Sequence, residues 1–506
     1  MSEQARTLIQ NATVLSMDPE VGDLAGGDVL VEGPLIRAVG RDLDVNGSVD
    51  VVDATGCIVV PGLVDTHRHM WEAIVRGIAP QHTFGQYMSH ILGDIGPVMT
   101  PHDLYLGDLL SARAALAAGV TTVQDISNIQ DTPEHTDAIV GALLESGLRA
   151  VFAYGKSFPA MMSGGGRLPD DVRRVRSELL PDRDALVTMA LDAEGGDDDS
   201  ERHNAALARE LDVPISRHFS SRLSVAHLRD LGTLLPGTTF IHGNGLAPTE
   251  LELIADSGGS LSISPAIEMI MGHGFPMLSD ALTHPALPIS LSVDVEVTVP
   301  SDMFTQMRAA YQAGRHGEHA ESDVRDPKLT VADVLHLATL SGAQTLGLAD
   351  RIGSVTPGKQ ADLVVLRADR PDVAPVYDPY SAVVLQMDRS HVDTVMVAGR
   401  ITSRGGHPVD DSSTLLREAA AVSRRLVDAV VREFFPKGTD ITSDPNYLAM
   451  VACDINDRPV RYTIGRSRPS YSPNSSTRML PLPEFAARST RPPGYTPRAR
   501  GVDAAG

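Results

Sequence analysis

Cysteine and long apolar runs are scarce in this 506-residue chain, and each scarcity excludes a class of protein. The only two cysteines, Cys57 and Cys453, cannot supply a disulfide framework or a thiolate metal site. No apolar run is long enough to span a membrane, and residues 1–6 lack the basic and apolar regions of a secretory signal. We therefore expect a cytoplasmic protein that binds no membrane and that holds any metal through His and carboxylate groups.

Basic residues are also in deficit, with 43 Lys and Arg against 65 Asp and Glu, and the formal net charge is −22. This balance argues against a nucleic-acid-binding surface. The contents of 42% apolar and 21% charged residues are typical of a globular protein. The length predicts more than one structural unit.

Short apolar runs alternate with helical patterns between residues 61 and 352. Such alternation predicts a parallel sheet, and eight units in this length fit a (β/α)8 barrel, also called a TIM barrel, of the α/β class. The eight predicted strands are Leu63–His69, Val120–Ile126, Leu148–Lys156, Ala185–Glu194, Val213–Phe219, Thr238–Gly243, Gly259–Pro265 and Pro288–Glu296.

The segments that flank the barrel have β character, with short alternating runs separated by Gly-rich turns. Residues 1–60 and 353–410 are expected to form one composite β-sandwich domain, into which the barrel of residues 61–352 is inserted. An amphipathic helix is expected over residues 411–437. The Arg-, Pro- and Ser-rich arm of residues 438–506 is expected to be extended and partly disordered.

Polar side chains end four of the predicted barrel strands. Because the carboxyl ends of barrel strands meet at one face, these side chains are expected to converge. A single His at a strand end is usually structural, but several histidines and a carboxylate at one mouth indicate a metal site for Zn²⁺, Fe²⁺ or Mn²⁺. The residues are His67, His69, His218, His242 and Asp294.

Three segments carry a resemblance to a known family. Pro61–His69 matches a Pro-Gly-x-x-Asp-x-His-x-His strand, Ala338–Gly347 is similar to a helix that follows the barrel, and Gly353–Leu363 matches the return into the β domain. In these segments the chain resembles the amidohydrolase superfamily. Within it, the chain is similar to the branch of cytosine deaminases, S-adenosylhomocysteine deaminases and triazine hydrolases. The resemblance covers about residues 7–405.

The resemblance implies a ligand set of His67, His69, His218 and Asp294, with His242 in contact with the metal-bound water. Members with two metals usually bridge them with a modified Lys on strand four. None of the four lysines lies in that strand, so one divalent metal is expected, with Zn²⁺ favoured over Fe²⁺ or Mn²⁺. Lys156, which ends strand three, is left with three interpretations: a ligand for a substrate anion, a lid residue, or a bridge to a second metal.

The chain departs from the family pattern where related deaminases carry a proton-transferring Glu. Ser221 stands at that position, and Gly245 replaces a His that is common three residues after the strand-six His. Glu268 follows strand seven and is the candidate replacement for proton transfer, or an anchor for a basic substrate group. The structural alternative is a buried carboxylate paired with an Arg.

Four further residues are candidates for substrate binding: Trp71, Lys156, Glu194 and His273. Trp71, the only Trp in the chain, either stacks on a planar substrate or packs the barrel rim. Asp125 and Glu194 end predicted strands and are expected to face the mouth.

Together these features predict a metal-dependent amidohydrolase that opens a C–N bond of a small heterocyclic molecule with a metal-activated water. His242, Asp294 and Glu268 are the expected catalytic residues. One alternative is a lyase or isomerase that uses the same metal without attack by water, and another is an inactive binding member of the family. The resemblance also implies a homo-oligomer, either a dimer or a tetramer.

Overall fold

The computed structural model describes residues 5–219, 224–321 and 328–434. The predicted arm of residues 438–506, and Ser221, lie outside the described residues. Among the described helices, none is both long and apolar enough to cross a lipid bilayer.

The chain begins with five strands that pair with one another: β1 Arg6–Val14, β2 Leu24–Glu32, β3 Leu35–Gly40, β4 Asp50–Asp53 and β5 Cys57–Pro61. Strand β1 is central, because it pairs with β2 in the antiparallel sense and with β4 and β5 in the parallel sense. Gly62 then leads straight into the barrel. A Cβ atom at Gly62 would lie 1.9 Å from the Thr121 hydroxyl, so only glycine fits this junction.

Eight parallel strands follow; seven lie within segments that the sequence predicts, and the second extends one residue past its predicted end at Ile126. They pair in chain order, and helices connect them, as in a (β/α)8 barrel. The strands are β6 Leu63–Arg68, β7 Val120–Ser127, β8 Arg149–Tyr154, β9 Val187–Asp192, β10 Ile215–His218, β11 Thr239–Ile241, β12 Ser260–Ile263 and β13 Ile289–Leu291.

The barrel closes where the chain beyond β13 meets β6. A bridge pairs Arg68 with Asp294, the amide of Asp294 donates to the carbonyl of His67 (3.0 Å), and the amide of His69 donates to the carbonyl of Asp294 (3.0 Å). This closure brings the last strand of the barrel next to the first. Side chains from both ends of the barrel sequence therefore share one mouth.

Helices cover the outside of the barrel. Several begin with a Thr or Ser cap, and Thr100 and Asp103 form a reciprocal capping box. The helices of this region are α1 Phe84–Tyr87, α2 Pro101–Ala117, α3 Pro133–Ser146, α4 Phe158–Gly164, α5 Asp171–Arg174, α6 Asp198–Leu211, α7 Val225–Leu231, α8 Pro248–Asp256, α9 Pro265–Met271, α10 Leu278–Ala281, α11 Met303–Glu321, α12 Val331–Leu337 and α13 Leu340–Thr345. Shorter 3-10 or π-helical segments are Met70–Val75, Met88–Ile95, Gly96–Val98 and Val175–Leu179.

After the barrel the chain returns to the first sheet. Strands β14 Leu363–Arg367, β15 Val392–Val397, β16 Arg400–Arg404 and β17 His407–Pro408 extend it to nine strands, with β14 antiparallel to β5. Both flanks of the barrel thus contribute to one sheet, whose own apolar core includes Ile9, Val29 and Leu363.

Three short helical segments, α14 Pro379–Ser381, Ala382–Gln386 and Arg389–His391, connect these later strands. The last described helix, α15 Ser413–Phe434, lies where the sequence predicts an amphipathic helix. It packs on α2, and Arg425 pairs there with Asp103.

Candidate metal and catalytic site

The five side chains that the sequence assigns to strand ends meet at the carboxyl end of the barrel. His67 lies within β6, and His69 follows it two residues later. His218 is the last residue of β10, and His242 follows β11 directly. Asp294 lies three residues beyond the end of β13. All are buried except His218, which is partly exposed.

Asp294 is the centre of the cluster. Its Oδ1 lies 3.0 Å from Nε2 of His67 and 3.8 Å from Nε2 of His69. Its Oδ2 lies 3.6 Å from Nε2 of His242. The carboxylate therefore faces imidazole nitrogens from two other parts of the barrel wall.

His218 completes the cluster from the opposite side. Its ring centroid lies 4.9 Å from that of His67, and its ring stacks parallel to that of His69 at 5.5 Å. Ligand atoms of His67, His218 and His242 lie within 4.8 Å of one another, as do those of His67, His69 and Asp294. These are two overlapping groups of nitrogen and oxygen donors, a composition that suits Zn²⁺.

The protonation states of these groups suit a cation. Burial lowers the pKa of His67 well below its ordinary value and that of His69 to about 4, so both imidazoles are neutral near pH 7. Burial opposes the shift at Asp294, but its contacts with the His67 and His242 imidazoles hold the pKa of this carboxyl well below its usual range. Neutral imidazole and ionised carboxylate are the forms that bind a metal.

Two of the imidazoles are held by partners on their other ring nitrogen. Nδ1 of His69 contacts the carbonyl of Ile126 at 2.8 Å. Nδ1 of His218 contacts Oε1 of Glu194 at 2.5 Å, and the same oxygen accepts from the His218 amide at 2.9 Å. Burial by itself would lower the pKa of His218, but the neighbouring Glu194 raises it to about 9. Both contacts leave Nε2 facing the cluster, which is the usual arrangement around metal-binding histidines, and Nε2 of His218 must release its proton before it can bind a metal.

Asp294 and His242 both have unusual backbone conformations. Their φ angles are +70° and +68°, in the left-handed region that non-glycine residues rarely adopt. Such conformations persist where the surrounding structure fixes them, and they concentrate at functional sites. Asp and His adopt this region more often than most residues do, but residue type alone does not single out these two positions in the sequence.

Glu268 is fully buried behind His242. Its Oε1 lies 3.3 Å from Nδ1 of His242 and accepts from the amide of Ser264 at 2.8 Å. Its Oε2 accepts from the Asn244 side chain at 3.2 Å. His242 thus lies between two carboxylates, with Glu268 hydrogen-bonded to Nδ1 and Asp294 3.6 Å from Nε2. Among the described residues, Glu268 contacts a His, a side-chain amide and a backbone amide, and none of these partners is the Arg of the structural alternative.

His273 also belongs to this part of the mouth. Its ring centroid lies 4.7 Å from that of His242 and 4.5 Å from that of Phe84, with an edge-to-face geometry in both cases. Its Nε2 is buried and has no hydrogen-bond partner among the residues that the structure describes. Burial lowers the pKa of His273 to about 4, so the ring is neutral near pH 7.

Three other candidates make their hydrogen bonds to residues outside the cluster. Trp71 is fully buried, and its Nε1 donates to Oδ1 of Asn128 (3.3 Å), so its burial favours packing over stacking on a substrate. Nζ of Lys156 donates to the carbonyl of Gly165 (2.7 Å). Asp125 is also fully buried, and it accepts from the Met70 amide (3.2 Å) beneath the site.

Sequence reasoning missed two buried acid groups beside the cluster. Glu72 accepts from the Tyr87 hydroxyl at 2.6 Å, and burial raises the pKa of Glu72 well above its usual range. Asp192 shares a group of ligand atoms with Glu194 and His218, and burial together with Glu194 raises its pKa to about 7. The available signal was weak, since Glu72 is a single acid in an apolar run and Asp192 lies just before Glu194, the acid that ends the predicted strand.

Curated relatives align with most of this chain. A 5'-deoxyadenosine deaminase of Methanothermobacter thermautotrophicus is 28% identical over 419 residues, which are 79% of this chain and 95% of that protein. A 5-methylthioadenosine/S-adenosylhomocysteine deaminase of Desulforudis audaxviator is 26% identical and covers 84% of this chain and 100% of its own length.

Solved structures share the fold. An adenosine deaminase from Xanthomonas campestris with bound zinc superposes with a TM-score of 0.72 at 24% identity, over 85% of this chain and 99% of that chain. An atrazine chlorohydrolase from Arthrobacter aurescens in complex with zinc gives a TM-score of 0.72 at 21% identity, over 82% of this chain and 100% of that chain. At these identities the likeness shows the shared architecture alone.

The family model of the amidohydrolases matches residues 58–402, which include the whole barrel and the return into the nine-stranded sheet. The resemblance that Pro61–His69 and the two later segments indicated is therefore confirmed, and the chain belongs to the amidohydrolase family.

Proposed function

We propose that this protein hydrolyses a C–N bond of a small heterocyclic molecule with one divalent metal, preferably Zn²⁺, bound by His67, His69, His218 and Asp294. The single observation that carries the proposal is the convergence of these side chains on one buried cluster, with ligand atoms of His67, His69 and Asp294 within 4.8 Å of one another. The family membership and the zinc-bound relatives of the same fold support it.

The residues fit such a metal on their own chemistry. Among the described residues, the buried Nδ1 of His67 has no hydrogen-bond partner, and the neutral rings of His67 and His69 each have one nitrogen lone pair that can bind a metal. Three imidazoles and one carboxylate are the donor types that zinc hydrolases use. When bound, the metal supplies Lewis-acid activation of water at neutral pH.

His242 and Asp294 are placed to handle the proton that the attacking water loses. Nε2 of His242 and Oδ2 of Asp294 lie 3.6 Å apart, which leaves both within reach of one water molecule. Glu268 lies on the far side of the ring, 3.3 Å from Nδ1, and would stabilise the imidazolium that forms. We assign Glu268 to this role rather than to direct contact with substrate.

The substrate side of the mouth is assigned to His273 and Phe84. The unpartnered Nε2 of His273 can donate to or accept from a polar heterocycle, and the Phe84 ring supplies an apolar wall beside it. Glu194 is assigned to orientation of His218, because Oε1 already contacts Nδ1 and the backbone amide of that residue. Lys156 is bound to a loop carbonyl and is given no catalytic role.

Deamination of an amino-substituted heterocycle is the reaction favoured by the names of the relatives, which act on 5'-deoxyadenosine and related nucleosides. Because Ser221 stands where such enzymes carry a Glu, a substrate other than a simple purine or pyrimidine is proposed. Opening of a cyclic amide uses the same groups and belongs to the same panel of test substrates.

The test is to incubate the zinc-loaded chain with amino-nucleosides, amino-triazines and cyclic amides in ¹⁸O-labelled water. Release of ammonia or ring opening, with one labelled oxygen in the product, is expected, and Asp294→Ala should abolish it. A product without solvent oxygen would instead establish a lyase or isomerase. Metal binding without any turnover across a broad panel would favour the binding member.

We further infer a cytoplasmic homo-oligomer. The cytoplasmic assignment is supported by the low cysteine content, with Cys57 buried and unpaired. The oligomer is supported by the family resemblance alone. Light scattering of the purified full chain gives its mass, and a monomer of 53.9 kDa would contradict the assignment.

A further inference from the structure

A group of buried charges lies directly behind the candidate metal ligands. Arg68 is fully buried, and its Nε donates to Oδ2 of Asp65 (2.7 Å) while its Nη1 donates to Oε1 of Glu296 (2.9 Å). The second oxygen of Glu296 accepts from Nε of Arg76 at 2.8 Å, and Ser111 donates its hydroxyl to Oε1 at 2.5 Å. We call Asp65, Arg68, Arg76, Ser111 and Glu296 the Arg68 cluster.

Stability alone is a poor explanation for this cluster. Charges are costly to bury, and replacing a buried ion pair by apolar side chains of similar volume is often neutral or stabilising. Arg68 and Glu296 are both fully buried, so the attraction between them must first offset a large desolvation cost. An arrangement of this kind is better explained by the geometry that it imposes on its surroundings.

That geometry is the seam where the barrel closes. Arg68 lies between His67 and His69 in the chain, and Glu296 lies two residues after Asp294. Asp65 adds a third link, because its Oδ1 accepts from the amide of Val293 at 3.0 Å. The cluster thus hydrogen-bonds to the chain on both sides of Asp294, at Val293 and at Glu296. These bonds connect that chain to the strand that carries the two histidines.

The backbone conformation of Asp294 needs such contacts to hold it. Its φ of +70° is a conformation that costs free energy for any residue with a Cβ, and it persists only where neighbouring contacts fix it. The backbone bonds of Asp294 to His67 and His69 hold the residue itself, whereas Glu296 and Asp65 hold the chain that follows and precedes it. Relaxation of this turn would swing the carboxylate away from Nε2 of His67.

We propose that Glu296 and Arg68 are positioning residues that keep the carboxylate of Asp294 in register with the imidazoles of His67 and His69. The inference rests on the proposed function in one respect, namely that these three side chains bind the metal. Neither Glu296 nor Arg68 touches the metal or the substrate in this proposal. Their effect is expressed as metal affinity.

The experiment compares Glu296→Gln with Asp362→Asn in the full chain. Asp362 is a matched control, because it forms an equally buried pair with Arg149 (2.8 and 3.0 Å), a pair that joins β8 to the start of β14. Zn²⁺ affinity is measured on metal-free protein by competition with a chromophoric chelator, and thermal unfolding is recorded in parallel.

Both variants should lose thermal stability, but only Glu296→Gln should bind Zn²⁺ more weakly, by about 10–100-fold, the range typical of groups that orient metal ligands. Equal Zn²⁺ affinity of the two variants would overturn the proposal. Arg76→Met provides a second test if Glu296→Gln fails to fold, since Arg76 is partly exposed and its loss releases the second carboxylate oxygen of Glu296. It should weaken Zn²⁺ binding to a smaller extent, and unchanged affinity would again overturn the proposal.

Zn²⁺ binding by the wild-type chain and by His67→Ala separates failure of the proposed function from failure of the positioning role. If neither binds Zn²⁺ at the site, the proposed function fails. If the wild type binds and His67→Ala does not, while Glu296→Gln binds as tightly as the wild type, the proposed function stands and the positioning role alone is wrong.

Discussion

Nε2 of His67 lies 3.0 Å from Oδ1 of Asp294, although 227 residues separate them in the chain. The contact exists because the barrel closes on itself, which places the first strand beside the chain that follows the last strand. The ligand set of the candidate metal site is therefore a property of the closed barrel. Disruption of the closure is expected to affect metal binding before it affects the outer helices.

Glu268→Gln is expected to lower kcat by about 100-fold or more and to leave the metal content unchanged. The amide keeps the shape of the side chain but cannot stabilise a charged His242 ring from 3.3 Å away. Steady-state kinetics on any substrate identified above, with metal analysis of the same samples, checks this. Glu250→Gln is the control, because Glu250 bonds the amides of Val225 and Ala247 and does not face the cluster. Unchanged kcat in Glu268→Gln would rule out its role beside His242.

Glu194→Gln is expected to weaken Zn²⁺ binding by about 10–100-fold with little change in KM. Glu194 contacts Nδ1 of His218 at 2.5 Å, so the amide variant should lose the orientation and the basicity that the carboxylate gives this ring. Chelator competition and steady-state kinetics distinguish orientation of His218 by Glu194 from direct contact of Glu194 with the substrate. A raised KM with normal Zn²⁺ affinity would instead identify Glu194 as a substrate ligand.

The docking of α15 on α2 is expected to weaken in acid. Burial by itself would raise the pKa of Asp103. Hydrogen bonds from Arg425 and from the Thr100 amide and hydroxyl instead lower this pKa below its ordinary value of 3.8. Because the folded-state pKa is depressed, this contribution to stability is complete above pH 3.8 and is lost as the pH falls through the folded-state pKa.

Asp103→Asn should therefore have a free energy of unfolding about 1 kcal/mol below that of the wild type at pH 6. This difference should shrink as the pH falls below 3.8. Urea unfolding at a series of pH values gives the comparison. A difference between the two proteins that does not change with pH would show that the charge of Asp103 contributes nothing to the docking.

The sequence was sufficient for the barrel because its strands are short apolar runs bounded by turns and helical stretches. All eight observed strands coincide with predicted segments to within one residue at their outer limits, and the His-x-His pattern of His67 and His69 indicates the first of them. Convergence of His218, His242 and Asp294 followed from topology alone, since parallel strands present their carboxyl ends at one face.

The rest depended on contacts that no local pattern encodes. Arg68 and Glu296 pair across 228 residues of sequence, and nothing in either neighbourhood identifies the other. The burial of Trp71 behind Asn128 is equally non-local, because a single Trp at the rim is compatible with packing or with stacking. The left-handed backbone of Asp294 is imposed by the closed barrel rather than by residue type.

The most direct test of the central claim is the metal content per chain of the purified protein, measured by plasma mass spectrometry beside His218→Ala and Asp294→Ala. One zinc ion per chain in the wild type, lost in both variants, is the predicted result. Two ions per chain would contradict the single-metal site and would direct attention to Asp192 and Glu194, which share a group of ligand atoms with His218. No metal in a folded protein that also refuses added Zn²⁺ would contradict the metal-dependent account altogether.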